Sequence, residues 1–406
     1  MTRKPITVVG AGFSGLTTAY LLTRAGREVR IVEKTARAGG LISTTRTEHG
    51  LVETAANGIL NSARLEAMSE DIGVPLLPTR ADGRKRFIYR GEPRQLPLSF
   101  AEAFRIPVGL VTNVANLRPQ PGETVSVWGA RVLGRGTTDY LLSPALTGIY
   151  AGDPHRLSAS LIFGRPNLPD HVQTYRPQKA RVRGTVAPPN GMQQLIDGLV
   201  DYLREREVEM HFETDAQPNA NELTIVCLSA PAAAEYLANI SPDLAPELAR
   251  VEMLSLLTVT CFFGEEAASV KGFGCLFPQD QGFRARGVLF NDCIFDGRGP
   301  ARSETWIFGG ALDADVVSLN DEEITRTILA DRARFYRQQD SPLAVHIKRW
   351  PNALPHYSVD LEKALVKLLQ PPPNIALVGN YLGRIGLAKI FERAAYVVDS
   401  IVKNRD

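Results

Sequence analysis

Three glycines near the start of the chain have the spacing of a nucleotide-binding turn: Gly10, Gly12 and Gly15. The β-branched run Ile6–Val9 precedes them and is typical of a buried parallel strand. In such a turn the first glycine permits a tight bend, the second lets the backbone approach a pyrophosphate, and the third lets the next helix pack on the strand. A second apolar strand, Val29–Val32, leads to Glu33, whose carboxylate can accept hydrogen bonds from ribose hydroxyls. The order strand, helix, strand and acid therefore predicts a dinucleotide site.

The elements that follow indicate that this nucleotide-binding unit is interrupted. The stretch ELTIVCLSAP is a further buried strand, and NIALVGNYLGRIGLAKIFERA has the pattern of a strand, a glycine turn and a helix. We expect the nucleotide-binding unit to comprise residues 1–80, 166–235 and 351–406. Strands of a substrate domain are expected over 81–97, the substrate-binding domain itself over 236–350, and a helical insertion over 98–165. Interrupted units of this kind are typical of large flavoproteins rather than of nicotinamide dehydrogenases.

Composition argues against several other classes of protein. A net charge of +2 over 406 residues is not that of a dedicated nucleic-acid binder. The four cysteines form no C-x-x-C pair and the six histidines form no H-x-x-x-H pair, so no metal site is expected. The residues before the first strand leave no room for a signal peptide, and no apolar run reaches the roughly 18 residues that span a bilayer. We therefore expect a cytoplasmic protein, and a peripheral position on the inner face of the membrane stays open.

The stretch RAGG, from Arg37 to Gly40, resembles the second nucleotide motif of the flavin-containing amine oxidase superfamily. The resemblance places Arg37 near the phosphates and the glycine backbone close to the flavin. Longer stretches resemble one branch of that superfamily, the protoporphyrinogen and coproporphyrinogen oxidases of haem synthesis. They are KRFIYRGEPRQLP, GETVSVWGARVLG, LLSPALTGIYAGDPHRLSA, PNGMQQLIDGL, RWPNALPHYSV and LVGNYLGRIGLAKIFERA. The resemblance follows nearly the whole chain in order, and GIYAGDPHRLSA and WPNALPHY are its most specific parts.

This resemblance implies an α/β fold with a discontinuous Rossmann-like FAD-binding domain, a mixed-sheet substrate domain and a helical insertion that can associate with a membrane. It implies non-covalent FAD and the oxidation of protoporphyrinogen IX to protoporphyrin IX, in which six electrons leave in three flavin cycles and dioxygen accepts them. Coproporphyrinogen III is the alternative substrate, and an amine oxidase or a carotenoid desaturase is the alternative enzyme. A non-catalytic protein that binds FAD or NAD is a third alternative. No nucleic-acid partner is expected, and the sequence is compatible with a homodimer.

The flavin carries the chemistry in such an enzyme, so no protein residue is assigned as catalytic. Arg86, in KRFIY, matches the family's propionate-binding arginine, and a guanidinium can bind a carboxylate bidentately. Without that match, the basic run around it is more typical of a solvated surface. The motifs and the resemblance assign cofactor contacts to Gly10, Ala11, Gly12, Phe13, Ser14, Gly15, Glu33, Lys34, Arg37, Gly40, Leu41, Ala55, Ala56, Asn57, Gly58, Ala216, Trp350, Ile385, Gly386 and Leu387.

Two stretches depart from the family, and a third permits two interpretations. The family has an acid followed by Gly-Pro, where this chain has VETAANGIL, and the segment between Arg206 and Leu223 is short, which trims a β-meander beside the FAD. The stretch LPLSFAEAFRIPVGLV is amphipathic. We predict that its apolar side packs in the core, and a position on a membrane surface is the alternative.

Overall fold

The computed structural model describes residues 5–164, 179–219, 221–383 and 385–403. The strands are β1 (Ile6–Val9), β2 (Val29–Val32), β3 (Thr44–Arg46), β4 (Leu51–Glu53), β5 (Ile59–Leu60), β6 (Leu77–Pro78), β7 (Arg86–Tyr89), β8 (Pro93–Arg94), β9 (Thr185–Ala187), β10 (Glu209–His211), β11 (Thr224–Val226), β12 (Met253–Phe263), β13 (Gly274–Leu276), β14 (Gly287–Phe290), β15 (Arg302–Gly309), β16 (Ala344–Pro355) and β17 (Ile375–Leu377). The helices are α1 (Phe13–Arg24), α2 (Ala63–Asp71), α3 (Phe100–Thr112), α4 (Val125–Val132), α5 (Arg135–Thr137), α6 (Ser143–Tyr150), α7 (Ala159–Phe163), α8 (Gln193–Arg204), α9 (Ala230–Leu237), α10 (Ala245–Ala249), α11 (Asn291–Ile294), α12 (Asp321–Tyr336), α13 (Val359–Leu368) and α14 (Leu387–Lys403).

A five-stranded parallel sheet has the order β10-β2-β1-β11-β17. Apart from the polar edge strand β10, its strands are largely apolar because both faces are covered: the consecutive residues Ile225 and Val226 belong to two different hydrophobic cores. Helix α1 packs against α8 and α14 on one of these faces. The sheet combines strands from the start, the middle and the end of the chain, so the expected discontinuous α/β fold is confirmed. The exact domain boundaries stay predictions.

A seven-stranded mixed sheet has the order β16-β12-β15-β14-β13-β7-β8. On one face of β12, Leu257 and Val259 pack into an aromatic core under α12, together with Trp306 and Phe335. Because side chains alternate along a strand, Thr258 lies on the opposite face, which is turned toward the nucleotide-binding part of the chain. As the sequence indicates, β7 and β8 are two short paired strands joined at Gly91, which has a φ of +73°.

Helix α3 corrects one sequence-based prediction, because its apolar side does not pack in the core. A capping box at Ser99 begins the helix, and none of its residues is buried. Phe100 is 98% exposed and Phe104 is 72% exposed. The opposite side of α3 packs against α4, and Gly109 lies at the contact. A methyl group on Gly109 would lie 2.1 Å from the carbonyl oxygen of Val132, so only a residue without a side chain permits this close packing. The apolar stripe of α3 therefore faces outward. Among the described residues, no helix is long and apolar enough to cross a membrane.

Candidate FAD and substrate site

The first glycine turn is built as its spacing predicts. Gly10 has a φ of +100°, a conformation that favours glycine. A methyl group on Gly15 would lie 1.8 Å from the carbonyl oxygen of Gly10, so only glycine lets α1 approach β1 this closely. Gly12 precedes the first residue of α1 and has no side chain to cap the helix. The free N–H groups at the start of α1 can therefore bind a pyrophosphate, and Phe13 and Ser14 lie in this first turn.

Glu33 lies beside this turn because the carboxyl ends of parallel strands meet at one edge of a sheet. Its Oε2 accepts a hydrogen bond from the Ala11 N–H at 2.7 Å, and its Oε1 accepts from the Thr35 N–H at 2.8 Å. These contacts orient the carboxylate and leave further lone pairs for a ribose. The loop after β10 runs alongside, since the Thr214 N–H donates to the Glu33 carbonyl at 3.0 Å.

That loop brings two further predicted contacts to the same edge. Lys34 is exposed and forms an ion pair with Asp215 at 3.3 Å. Ala216 follows Asp215 directly, so it lies next to the end of β2. Contacts of these two residues with the adenosine half of the cofactor stay predictions.

The second glycine motif packs directly on the first. The Gly39 N–H donates to the Ala11 carbonyl at 2.8 Å, and a methyl group on Gly40 would lie 3.3 Å from the Cα of Gly12. Arg37 holds this loop in shape, because its guanidinium donates to the carbonyls of Ala38, Gly40 and Ile42 at 3.1, 2.6 and 3.0 Å. The structure thus gives Arg37 a loop-positioning role, and its contact with phosphate stays a prediction. Leu41, the next predicted contact, is exposed.

A buried ion pair that sequence analysis missed lies beside β3 and β4, the strands that follow this loop. Glu53, at the end of β4, pairs with Arg298 at 3.0 Å, and both side chains are 4% exposed. The same carboxylate accepts hydrogen bonds from the Met192 N–H at 2.9 Å and from the Thr44 hydroxyl at 2.7 Å. Burial raises the pKa of Glu53, while Arg298 and the hydrogen bonds oppose that shift. The acid of VETAANGIL was visible in the sequence, but nothing there pointed to Arg298 as its partner.

The segment after Glu53 joins the nucleotide-binding part to the seven-stranded sheet. The Thr54 carbonyl accepts hydrogen bonds from the Trp350 indole at 2.8 Å and from the Thr258 hydroxyl at 3.0 Å. The predicted contacts Ala55, Ala56, Asn57 and Gly58 follow in the turn before β5. Gly58 is tightly packed, since a methyl group there would lie 3.0 Å from the Phe295 ring.

A cavity opens at this junction, and we call it the junction cavity. Its volume is about 290 Å³, and it lies between β3–β4 and β12–β16. Five of its lining residues carry hydroxyl groups: Ser43, Thr45, Thr54, Thr258 and Thr260. Arg37, Lys348 and Trp350 also line it. The cavity is therefore polar and contains two cationic side chains.

The C-terminal turn lies next to the first glycine turn. The Gly386 carbonyl accepts from the N–H groups of Lys389 and Ile390 at 3.0 Å, so α14 begins directly after Gly386, at Leu387. Phe391 of α14 and Phe13 of α1 make an edge-to-face contact with ring centroids 6.4 Å apart. Helices α1 and α14 therefore meet near their N-termini. Ile385 and Gly386 lie at this point, and their contact with the flavin stays a prediction.

Arg86, the predicted substrate ligand, begins β7 and is exposed. Its guanidinium lies 4.1 Å from the centroid of the Phe273 ring. It forms no ion pair with an acidic residue within the described ranges. Because Tyr89, three residues on, packs into the aromatic core, alternation places Arg86 on the opposite face, the one that also carries Thr258.

The two most specific sequence motifs are in direct contact with each other. The buried His356 of WPNALPHY shares a hydrogen bond with Glu252 at 3.0 Å, and its Nε2 accepts from the Asp153 N–H of GIYAGDPHRLSA at 3.3 Å. Arg156 of the latter motif pairs with the same Glu252. Their side-chain contacts are thus structural, and they connect the helical insertion to the end of β16.

The two sheets and the paired glycine motifs define a flavoprotein oxidoreductase with a separate substrate sheet. A family model for flavin containing amine oxidoreductases matches residues 13–217, and the chain belongs to that family. It is an FAD-dependent oxidoreductase, and the open glycine turn, the free N-terminus of α1 and Glu33 fit this cofactor.

Relatives match the chain from end to end. It is 23% identical to "Protoporphyrinogen oxidase, chloroplastic" of Nicotiana tabacum, over 97% of this chain and 84% of that protein. It is 24% identical to "Coproporphyrinogen III oxidase" of Mycobacterium bovis, over 100% of this chain and 99% of that protein. Among solved structures, a "Putative protoporphyrinogen oxidase" from Exiguobacterium sp. 255-15 superposes with a TM-score of 0.80 at 21% identity, over the full length of both chains. A reduced UDP-galactopyranose mutase superposes with a TM-score of 0.73 at 15% identity, over 100% of this chain and 95% of that one. These structural likenesses establish the fold.

Proposed function

We propose that this protein oxidises protoporphyrinogen IX to protoporphyrin IX, with coproporphyrinogen III as the alternative substrate. Bound FAD accepts two electrons in each of three rounds, and dioxygen takes them up. The alternative is kept because the relatives include proteins named for both substrates. The role of the chain's own residues is to bind FAD, to orient the macrocycle against it and to hold the substrate carboxylates.

The observation that carries the proposal is a row of paired residues across one face of the seven-stranded sheet. From the junction cavity outward, the row consists of Lys348, Thr258, Ile307, Gly287, Leu276 and Ile88. Neighbouring strands lie about 4.8 Å apart, so Thr258 and Ile88 are separated by roughly 19 Å. The middle of the row is apolar or lacks a side chain, and Ile307 and Leu276 are half-exposed.

Arg86 lies on the same face as this row, two residues before Ile88 on β7. A flat apolar substrate with carboxylate arms needs an apolar floor, a redox group at one side and a cation at the other. The row supplies the floor, the junction cavity adjoins the flavin motifs, and Arg86 supplies the cation. Tyr381, the one aromatic residue in the C-terminal turn, is fully buried in a hydrophobic core. It therefore offers no aromatic cage of the kind that amine oxidases use.

A parallel assay of both porphyrinogens tests the proposal. We expect the FAD-loaded protein to convert at least one of them to its fluorescent porphyrin faster than buffer alone. The faster substrate decides between the two alternatives. Amine substrates serve as the matched comparison, and turnover of an amine without turnover of either porphyrinogen would refute the proposal.

We also propose that α3 binds the surface of an anionic membrane. Its outward stripe consists of Phe100, Phe104, Pro107, Val108 and Val111, all exposed. Three exposed arginines with no acidic partner among the described residues lie in the same helical region: Arg105, Arg118 and Arg135. An apolar stripe with neighbouring cations suits a membrane surface that carries negative charge. The Arg90–Glu102 ion pair at 2.7 Å ties the start of α3 to the end of β7 and so keeps the stripe outward.

Co-flotation with vesicles of anionic and neutral lipids measures this contact. Changing Phe100 and Phe104 to Ser together should weaken vesicle binding by roughly a hundredfold or more, because burial of each ring contributes about 1.5–3 kcal/mol. Leu343 and Val366 are exposed elsewhere, and their double change to Ser is the matched control. Equal loss in both variants, or a wild-type protein that dimerises in solution and ignores vesicles, would contradict the membrane assignment.

A further inference from the structure

A second cavity lies between the helical insertion and the hairpin of β13 and β14, and we call it the hairpin cavity. Its volume is about 240 Å³, and it shares no lining residue with the junction cavity. Residues of α4, of α6 and of the segment between α5 and α6 form one side, and the loop after β13 forms the other. Neither the glycine motifs nor Arg86 lines it, so the proposed oxidation assigns it no role.

Arg286 brings to this cavity a guanidinium that no acidic side chain neutralises. Among the described residues its one hydrogen bond, from Nη2 to the Leu312 carbonyl, is 3.4 Å long, and its Nε is buried without a partner. Asp313 does not pair with it, because Arg284 binds that carboxylate through two hydrogen bonds of 2.9 and 3.1 Å. Burial lowers the pKa of Arg286, although the guanidinium remains charged. A partly desolvated cation without a counter-ion favours an anionic ligand.

The exposed side of the cavity carries carboxylates instead. Asp139 and Asp280 are both exposed, and neither forms an ion pair within the part of the chain that the structure describes. Asp280 is held in position by the Tyr140 hydroxyl, which donates to its Oδ2 at 2.7 Å. Asp280 and Arg286 belong to the same short hairpin, in which the Phe277 N–H donates to the Arg286 carbonyl at 3.0 Å. Because the two side chains do not pair, their opposite charges are available to a ligand that lies between them.

The surface between these charges is partly apolar. Pro144, Phe277 and Pro278 line it with carbon, and Ser143 and Thr147 add hydroxyl groups. Ser143 and Thr147 are four residues apart on α6, so they lie on the same side of the helix. A short aliphatic chain suits such a wall, provided that its ends are polar.

We propose that the hairpin cavity binds a small ω-amino carboxylate, a zwitterion whose carboxylate and ammonium groups are joined by methylene groups. The carboxylate pairs with the guanidinium of Arg286, and the ammonium lies beside Asp280 and Asp139. A phosphate suits the cavity less well, because the two aspartates would repel its larger negative charge. The ligand would connect the hairpin to the helical insertion, since Asp139 belongs to the insertion. This site goes beyond the proposed oxidation and does not depend on it.

Isothermal titration calorimetry on the FAD-loaded protein tests the site without any porphyrinogen. The probes are γ-aminobutyrate and δ-aminovalerate, and the matched compounds are butyrate and butylamine, each of which keeps only one of the two charges. We expect at least one of the amino acids to bind roughly tenfold or more tightly than either matched compound, because it makes charge-assisted contacts at both ends. Equal affinities for butyrate and γ-aminobutyrate, or no binding of either amino acid, would overturn the proposal.

Two variants assign the ends of the ligand. Arg286→Met removes the charge and keeps an unbranched side chain, so it should weaken binding of the amino acid by roughly ten- to a hundredfold. Asp280→Asn keeps an acceptor for Tyr140, and it should weaken binding of the amino acid while butyrate binds no less tightly than to the wild type. Asp280→Asn also tests the site by itself if Arg286→Met does not fold.

The control is Arg326→Met, since Arg326 is exposed on α12 and does not line the cavity. It should bind both amino acids like the wild type. Flavin absorbance and circular dichroism show whether each variant is folded and loaded. Wild-type affinity in both Arg286→Met and Asp280→Asn, or an equal loss in Arg326→Met, would refute the assignment.

Discussion

Arg86→Ala is expected to lower kcat/KM for porphyrinogen by roughly 30- to several-thousand-fold, the equivalent of about 2–5 kcal/mol in transition-state binding. The physical reason is the loss of a charge-assisted pair between the guanidinium and a substrate carboxylate. Arg86 has no acidic partner among the described residues, so its charge is available to a ligand. Steady-state porphyrin fluorescence measures the effect, and the FAD content should remain normal because Arg86 lies on the substrate sheet, away from the glycine motifs.

Two further variants decide whether Arg86 binds the substrate or only attracts it. Arg86→Lys should recover part of the activity, because an ammonium cannot reproduce the bidentate fork. Arg84 lies two residues away and is also exposed, so Arg84→Ala reports the general loss of positive charge. Equal losses of kcat/KM in the two alanine variants would show that the basic residues only attract the substrate electrostatically and that Arg86 does not bind it. Wild-type turnover by Arg86→Ala would place the carboxylate site elsewhere.

Glu304→Ala is expected to lower the free energy of unfolding by about 3–5 kcal/mol, the usual effect of breaking a buried ion pair. Glu304 pairs with Arg332 at 3.1 Å, and their side chains are 4% and 1% exposed. The carboxylate also accepts hydrogen bonds from the Trp306 indole at 3.0 Å and the Tyr336 hydroxyl at 2.9 Å. The variant leaves these donors and most of the Arg332 charge buried without their partner, although Asp340 still contacts Arg332. Urea denaturation followed by circular dichroism measures the loss.

The control for this prediction is an acidic residue that makes only a surface contact. Glu205 is 75% exposed and pairs with Arg206 at 3.6 Å, so Glu205→Ala should change the free energy of unfolding by no more than about 1 kcal/mol. Replacing Glu304 and Arg332 together by Met should recover part of the stability, because no unpaired arginine charge stays buried, although Asp340, which is 10% exposed, loses its ion-pair partner. A double variant less stable than Glu304→Ala would show that the pair itself, rather than the unpaired charge, determines the effect.

The sequence alone predicted the local geometry of the first glycine turn and of the acid beside it. Gly10, Gly12, Gly15 and Glu33 lie within 24 residues of one another. Gly10 needs a positive φ, Gly15 makes a close helix–strand contact, and Glu33 follows the end of a parallel strand. Local geometry is encoded by local sequence, so pattern and spacing suffice to predict it. The resemblance of ordered motifs along the chain likewise indicated the family, which the comparisons confirmed.

Only the tertiary structure decided which distant residues meet and which way an amphipathic helix faces. Glu53 and Arg298 are 245 residues apart, and neither residue type nor spacing connects them. The helical pattern of α3 shows that an apolar stripe exists, but not that Gly109 fits against Val132 and turns the stripe outward. The row from Lys348 to Ile88 depends on strand order, which alternation within a single strand does not encode. Long-range pairing is set by the packing of whole elements, and that is why the glycine turn could be predicted from the sequence while the row across the seven-stranded sheet could not.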